Sequence, residues 1–194
     1  MYDDQVEGAP GALGLVVCIE TSEGGQTSRE WLFARASCDE CFMQRFVRRK
    51  TYIGQLELLA AVAVYYSLPD IVRGESVMHY VDNTSAVAAL VKGYSQQPDS
   101  VRILHALWTL VAGLGCAPWF KYVRSKANVA DLPSRGNLDY ITNVLKAREV
   151  ELVMPPFEMW TSIEHALAVI DSGLPGAALH AAAPSKKRAR SKRA

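Results

Sequence analysis

The sequence is poor in the features that mark several large classes of protein. It has four cysteines in 194 residues, too few for the disulfide scaffold of a small secreted domain. No uncharged apolar run reaches the roughly 18 residues that a membrane span needs. The N-terminus lacks a basic stretch followed by an apolar one, the pattern that begins a secretory signal. We therefore expect a soluble intracellular protein with no membrane association.

The cysteines do not predict a zinc site either. Cys38 and Cys41 have the spacing of half a zinc knuckle, but no second Cys-x-x-Cys and no His pair completes a tetrahedral set. What the chain does have is apolar material, since 49% of its residues are hydrophobic and 21% are charged. This composition excludes a wholly disordered chain. The length suits one domain, or one domain with an appendage.

Charge is balanced over the whole chain but unevenly placed. There are 21 Lys and Arg against 20 Asp and Glu. Residues 185–194 hold no acid and six basic side chains, which are Lys186, Lys187, Arg188, Arg190, Lys192 and Arg193. The rest of the chain is therefore net acidic. Such a body is not typical of a non-specific nucleic-acid coat. The tail is typical of a nuclear-localisation or nucleic-acid-tethering segment, and a merely solubilising end is the alternative.

Hydrophobic periodicity predicts an α/β domain. We predict strands at residues 12–20, 30–36, 76–81 and 118–123, and helices at 53–68, 83–92 and 99–112. Residues 37–50 are polar and irregular, and a short helical turn begins at Asn128. This order predicts a mixed sheet with helices on its faces. We place the domain at 1–150, an extension with a short helix at 151–184, and a disordered basic tail at 185–194.

Four acidic positions have distinctive places relative to these elements. Glu57 is the only charged residue of a helix that is apolar almost all round, where burial needs a partner unless its carboxyl reaches solvent beside the helix dipole. Asp82 ends a strand and precedes a helix that Asn83 is able to cap. Asp131 lies in a late helical turn, and Asp4 precedes the first hairpin. Capping, dipole and solvated-terminus roles are the alternatives for Asp82, Asp131 and Asp4, respectively.

Taken together, these acids form a pattern suited to hard divalent cations. Carboxylates that meet at the strand ends of one sheet are what Mg²⁺ prefers, because it keeps several waters and takes substrate phosphate oxygens. Two such ions about 3.5–4 Å apart activate water and stabilise the leaving oxygen in phosphodiester cleavage. The pattern therefore predicts a metal-dependent phosphodiesterase site.

Three ordered motifs resemble the ribonuclease H domain of retroelement reverse transcriptases. They are Gln55-Leu-Glu-Leu-Leu-Ala60, Tyr80-Val-Asp-Asn-Thr-Ser-Ala86, and Val123-Arg-Ser-Lys-Ala-Asn-Val-Ala-Asp-Leu-Pro-Ser-Arg135. They are most similar to those of tyrosine-recombinase (DIRS-type) retrotransposons. The resemblance covers roughly residues 2–135.

The resemblance implies a ribonuclease H-like fold and a reaction. The fold is a mixed five-stranded sheet, with its first strand truncated here, and helices on both faces. The reaction is hydrolysis of the RNA strand of an RNA–DNA hybrid by two Mg²⁺ or Mn²⁺ ions, without a small-molecule cofactor. Glu57, Asp82 and Asp131 match three of the family's metal-binding acids, and Asp4 is expected to be the fourth. The family also implies a polymerase domain encoded upstream as a partner.

We expect two groups of side chains to contact the hybrid. Basic residues before the Glu57 helix are candidates for phosphate contacts, with a solvated loop as the alternative. These are Arg45, Arg48, Arg49 and Lys50. Polar residues near the acids are candidates for contacts with 2′-hydroxyls. These are Asn83, Thr84, Ser85 and Asn128.

Two other functions stay open at this stage. Transposases, integrases and junction resolvases use the same carboxylate geometry on DNA, so a DNA-acting nuclease of this fold is one alternative. The truncated first strand favours the other, a catalytically silent ribonuclease H-like module that binds nucleic acid or acts as a scaffold.

Overall fold

The computed structural model describes residues 11–175 as a mixed α/β structure. Its strands are β1 (Gly11–Glu23), β2 (Gln26–Cys38), β3 (Ser76–Val81), β4 (Ala117–Tyr122) and β5 (Arg148–Glu149). Its helices are α1 (Glu40–Met43), α2 (Ile53–Ser67), α3 (Pro69–Val72), α4 (Thr84–Lys92), α5 (Pro98–Leu114), α6 (Asp131–Ser134) and α7 (Ile163–Ser172). The four strands and three helices predicted within this range are confirmed, with small shifts of their ends.

The first two strands form a long antiparallel hairpin because a two-glycine turn joins them. Gly24 and Gly25 both have positive φ, 58° and 81°, as a tight hairpin turn of this hand requires. The ladder then runs from Glu23 opposite Gln26 to Gly11 opposite Cys38. β5 adds a short parallel pairing along the other edge of β2.

The prediction of one five-stranded sheet is wrong for the part of the chain that the structure describes. The strands form two sheets, a three-stranded sheet in the order β1-β2-β5 and a two-stranded parallel sheet of β3 and β4. Across residues 11–175 no ladder of hydrogen bonds joins β1 to β3 or β4, and the fifth strand comes from an unpredicted pair of residues. The predicted first strand, with Asp4, lies outside the described residues, as does the basic tail.

The hairpin is covered on both faces, as the strand period of two requires. Leu13, Leu15 and Leu32 point into the main core, where α2 packs. Phe33 points the other way into a smaller cluster with Ile141 and Ala147. Helical structure therefore lies on both faces of this sheet, in agreement with the predicted layering.

The helix α2 is the centre of the main core. Its side chains Leu59, Val62 and Tyr65 are fully buried, and it contacts β1, α4 and α5. This explains its all-round apolar sequence, because a helix packed on several sides has no solvent stripe. The segment after residue 150 also joins this core, through Met159 and Trp160. None of the helices formed by residues 11–175 has the length and apolarity of a membrane span.

A close approach of backbone fixes α6 against the hairpin. A Cβ placed on Gly14 would lie 2.4 Å from the Ala130 carbonyl oxygen and 2.7 Å from the Ser134 nitrogen. Both distances are too short for a carbon atom, and both partners are backbone, which moves only with the whole turn. Glycine at position 14 therefore sets how closely the turn that carries Asp131 packs on β1.

We predict that Gly14→Ala lowers the free energy of unfolding by about 1–3 kcal/mol, the usual range for overpacking. Gly54→Ala is the matched control, because no atom lies within 4 Å of a Cβ at that helical position. It should raise stability by about 0.5 kcal/mol through the loss of backbone freedom in the unfolded chain. Urea unfolding of the three proteins measures both changes, and equal stability of the two variants would contradict the close packing.

Candidate active site

The first component of the candidate site is the polar side of α2 near its beginning. Gln55 is buried and donates from Nε2 to Ser100 Oγ on α5 at 3.0 Å, which fixes the first turn of the helix. Glu57 follows two residues later and is partly buried. Packing of α2 against β1 and α5 therefore holds a carboxyl group close to the core, where charge is unfavourable.

The second component is the end of β3. Asp82 directly follows the buried Val81, and Asn83 then begins α4. The Asn83 side chain accepts from the Ala86 N–H at 3.0 Å, so Asn83 is the N-cap. Because Asn83 fills the cap, the Asp82 carboxylate is left to interact with other groups at the strand end.

The third component is the turn that begins α6. Asp131 Oδ2 pairs with Arg135 Nη2 at 3.1 Å, one helical turn later. Its Oδ1 lies 3.5 Å from Asn128 Nδ2, and Asn128 Oδ1 accepts from the Ala130 N–H at 3.1 Å. Asn128 thus bridges the backbone of the turn and the Asp131 carboxylate, and it orients that carboxylate.

The three acids interact electrostatically, and Glu57 shows it. Burial, the charge of Asp82, a hydrogen bond with Asp82, and the charge of Asp131 together raise the pKa of Glu57 from 4.5 to about 7. A hydrogen bond between two carboxyl groups requires a proton, and the raised pKa means that Glu57 carries one below about pH 7. Glu57 is thus hydrogen-bonded to Asp82, and Asp131 is near enough for its charge to raise the pKa of Glu57; we call these three acids the carboxylate cluster.

The donor set of this cluster fits a hard divalent cation. All three side chains offer carboxylate oxygens, the ligand type of Mg²⁺ and Mn²⁺, and their mutual repulsion is what a cation would relieve. Even so, within residues 11–175 no three His, Cys, Asp or Glu side chains stand in the arrangement of a ready metal-binding group. The fourth predicted acid, Asp4, lies outside the described residues.

Two of the four predicted phosphate-binding residues, Arg49 and Arg45, already interact with other side chains. The Arg49 guanidinium forms an ion pair with the buried Asp99 at the start of α5, and Asp99 also accepts from the Val47 N–H at 2.9 Å. The Arg45 guanidinium lies over the rings of Phe42 and Phe157. Of the four predicted residues, Arg45, Arg48 and Lys50 are exposed to solvent.

The predicted 2′-hydroxyl contacts also differ in availability. Thr84 and Ser85 are exposed in the first turn of α4, next to Asp82. Asn83 and Asn128 already use their side-chain oxygens on backbone N–H groups. Arg135 was missed by sequence reasoning, although its spacing of four residues from Asp131 on a helical turn is a recognised ion-pair signal.

The raised pKa of Glu57 predicts that stability falls as pH rises from about 4.5 to about 7. In this window the folded chain keeps a proton that the unfolded chain releases, so raising the pH favours unfolding. Glu57→Gln removes the effect. Relative to the parent, we expect this variant to gain roughly 1–3 kcal/mol between pH 4 and pH 8.

Urea unfolding at several pH values measures this gain. Glu151→Gln, at an exposed position, is the control and should show no such pH-dependent gain. A Glu57→Gln difference that is constant from pH 4 to pH 8 would contradict the raised pKa of Glu57.

Comparison with known proteins adds no family to this geometry. No protein-family model, no curated protein and no solved structure matches the chain. The assignment of a function therefore depends on the ordered motifs and on the carboxylate cluster.

Proposed function

We propose that this chain is a ribonuclease H-type endonuclease that cleaves the RNA strand of RNA–DNA hybrids by two-metal-ion hydrolysis. The observation that carries the proposal is the carboxylate cluster, in which the partly buried Glu57 is hydrogen-bonded to Asp82 and interacts with the charge of Asp131. The three acids belong to the three motifs that resemble the retroelement domain. Asp82 follows the C-terminal end of β3, and α/β sheets commonly bind their ligands at the C-terminal ends of strands.

In this proposal the protein's task is to hold and orient carboxylates. Bound Mg²⁺ or Mn²⁺ ions supply an activated water and stabilise the leaving oxygen. Asn128 and the packing of Gly14 on the α6 turn position Asp131. Asn83 caps α4 and leaves the Asp82 carboxylate to the cluster. Glu57 has to give up its proton, so we expect the site to load cations better above pH 7 than below it.

The hybrid would meet the site from the side where α4 begins. Thr84 and Ser85 are exposed hydroxyls next to Asp82, and hydroxyl groups are suited to contacting 2′-hydroxyls. Arg48 and Lys50 are exposed cations on the loop before α2 and are suited to contacting phosphates. Arg49 has a structural role in addition, because its pairing with Asp99 attaches this loop to α5. We propose that the upstream partner is a polymerase domain and that the tail directs the chain to the nucleus.

One observation favours a second candidate, the catalytically silent module. The ion pair of Arg135 with Asp131 neutralises one of the three acids without a metal. Glu57 and Asp82 can likewise remain paired through a proton. A silent module would keep these interactions for stability and bind nucleic acid without hydrolysing it.

We predict that the purified chain with Mg²⁺ or Mn²⁺ cleaves the RNA of an RNA–DNA hybrid and leaves duplex DNA intact. Asp82→Asn should lower the rate at least about a hundredfold, because it keeps the side-chain shape and removes the anionic charge that a cation needs. Asp139→Asn, at an exposed position after α6, is the matched control and should retain the parent rate. Circular dichroism of each variant checks folding.

Calorimetry with Mg²⁺ separates the candidates. Heat of Mg²⁺ binding that is lost in Asp82→Asn supports the enzyme. A folded chain that binds no Mg²⁺ and cleaves nothing would overturn the proposal in favour of the silent module. Cleavage of duplex DNA at the rate of the hybrid would instead indicate a DNA-acting nuclease, and cleavage that survives Asp82→Asn would indicate a different site.

A further inference from the structure

The two-stranded sheet has an outward face that is large, apolar and exposed. Met78, Tyr80 and Trp119 on this face are 47%, 56% and 66% exposed, and Lys121 is exposed beside them. We call these four residues the sheet platform. Within residues 11–175 no helix covers it, whereas helical structure packs on both faces of the hairpin sheet.

The opposite face of the same strands is firmly packed. The His79 ring stacks on Tyr65, with ring centroids 6.0 Å apart, and lies 5.4 Å from the Phe120 ring. Burial lowers the pKa of His79 to about 4, so it is neutral at physiological pH. Because the inner side chains are anchored, the outer ones project from a rigid surface. The parallel register then places Met78 beside Trp119 and Tyr80 beside Lys121.

Positive charges outnumber negative ones around the platform, although Glu75 before β3 and Asp82 after it are acidic. Strands β3 and β4 contain no carboxylate, and Lys121 is their only Lys or Arg. Arg124 and Lys126 follow in the loop after β4, and both are exposed. This local excess of positive charge contrasts with the acidic excess of the chain outside its tail. Charge complementarity therefore favours a polyanion on this face.

The platform leads to the carboxylate cluster. β3 and β4 are parallel, so their ends lie at the same edge of the sheet. Tyr80 is two residues before Asp82, and Arg124 is two residues after the end of β4. The platform and the cluster therefore lie near the same edge of the sheet.

We propose that the sheet platform binds a single-stranded nucleic-acid segment by stacking unpaired bases on Trp119 and Tyr80, while Lys121 and Arg124 contact the phosphates. Exposed aromatic rings with interleaved cations are the features that bind single strands without sequence preference. The ligand class rests on the proposed function. Exposed Trp, Tyr and Met side chains are also enriched at protein interfaces, so the local positive excess is what favours a polyanion over a protein partner here.

Intrinsic tryptophan fluorescence tests this directly. We would titrate the full chain, in EDTA so that no hydrolysis occurs, with a 12-nucleotide oligo(dT) and with the same length of oligo(U). Trp119 is the one strongly exposed tryptophan of the described residues, so stacking should quench its emission. Trp119→Phe should remove most of the quenching but retain most of the affinity, measured by anisotropy of a labelled oligonucleotide.

Variants at the platform should weaken binding by amounts set by stacking and charge. Trp119→Ala should lower the affinity about tenfold or more. Lys121→Gln should make the negative slope of log affinity against log salt about 0.7 less steep. Tyr94→Ala is the matched control, because Tyr94 is an aromatic residue, 62% exposed, on the loop after α4 and not on β3 or β4; it should change affinity less than twofold.

Three results would overturn the proposal. One is an affinity for oligonucleotides that Trp119→Ala leaves unchanged. Another is a concentration-dependent dimer in analytical ultracentrifugation that Trp119→Ala abolishes, which would make the face a protein interface. The third is Trp119 emission that acrylamide cannot quench in the free chain, which would mean that another segment covers the platform. If oligonucleotides bind as predicted but hybrids are not cleaved, the proposal of single-strand binding at the platform is supported and the nuclease proposal fails.

Discussion

The rest of the site depends on one constraint, the burial of a single carboxyl group in a helix that otherwise belongs to the core. Glu57 is carried by α2, whose other side chains pack against β1, α4 and α5. The helix cannot rotate to expose Glu57 without exposing side chains such as Leu59 and Val62. Each such side chain contributes roughly 1.5–3 kcal/mol when buried, so core packing holds the acid in place.

The neighbouring elements then determine what this buried acid meets. Asp82 is brought to it by the end of β3, and the Asn83 cap settles where α4 begins. Asp131 is brought by a turn whose distance from β1 is limited by Gly14. Each acid therefore comes from a different local structure, and core packing assembles them. The result is a cluster in which Glu57 keeps a proton up to about pH 7.

Local patterns were sufficient for much of the fold. The strands β3 and β4 and the helices α4 and α5 follow from period, caps and terminal glycines: α4 ends at the left-handed Gly93 as predicted, whereas α5 continues two residues past its predicted end and ends at Gly115. Non-local pairing was not predictable. β5 has two residues and exists only because β2 lies beside it, and the division into two sheets depends on which strand edges meet. These are long-range choices that periodicity does not encode.

The same distinction applies to the candidate site. The sequence indicated Glu57 as the lone charge of an apolar helix, and Asp82 and Asp131 by their places at a strand end and in a late helical turn; in the structure both affect the pKa of Glu57. It could not predict that Arg49 pairs with Asp99, fifty residues away, since a basic loop residue has the same local pattern whether or not it is paired. The raised pKa of Glu57 could not be predicted from the sequence either, because it depends on burial and on distances between separate elements.

The most direct test of the carboxylate cluster is an NMR titration of the Glu57 side-chain carboxyl carbon in the parent chain and in Asp82→Asn. The account predicts a pKa of about 7 in the parent, a lower value when the charge of Asp82 is removed, and a lower value in the parent when Mg²⁺ is present. A Glu57 pKa near 4.5 in the parent, or one that neither Asp82→Asn nor Mg²⁺ changes, would contradict it.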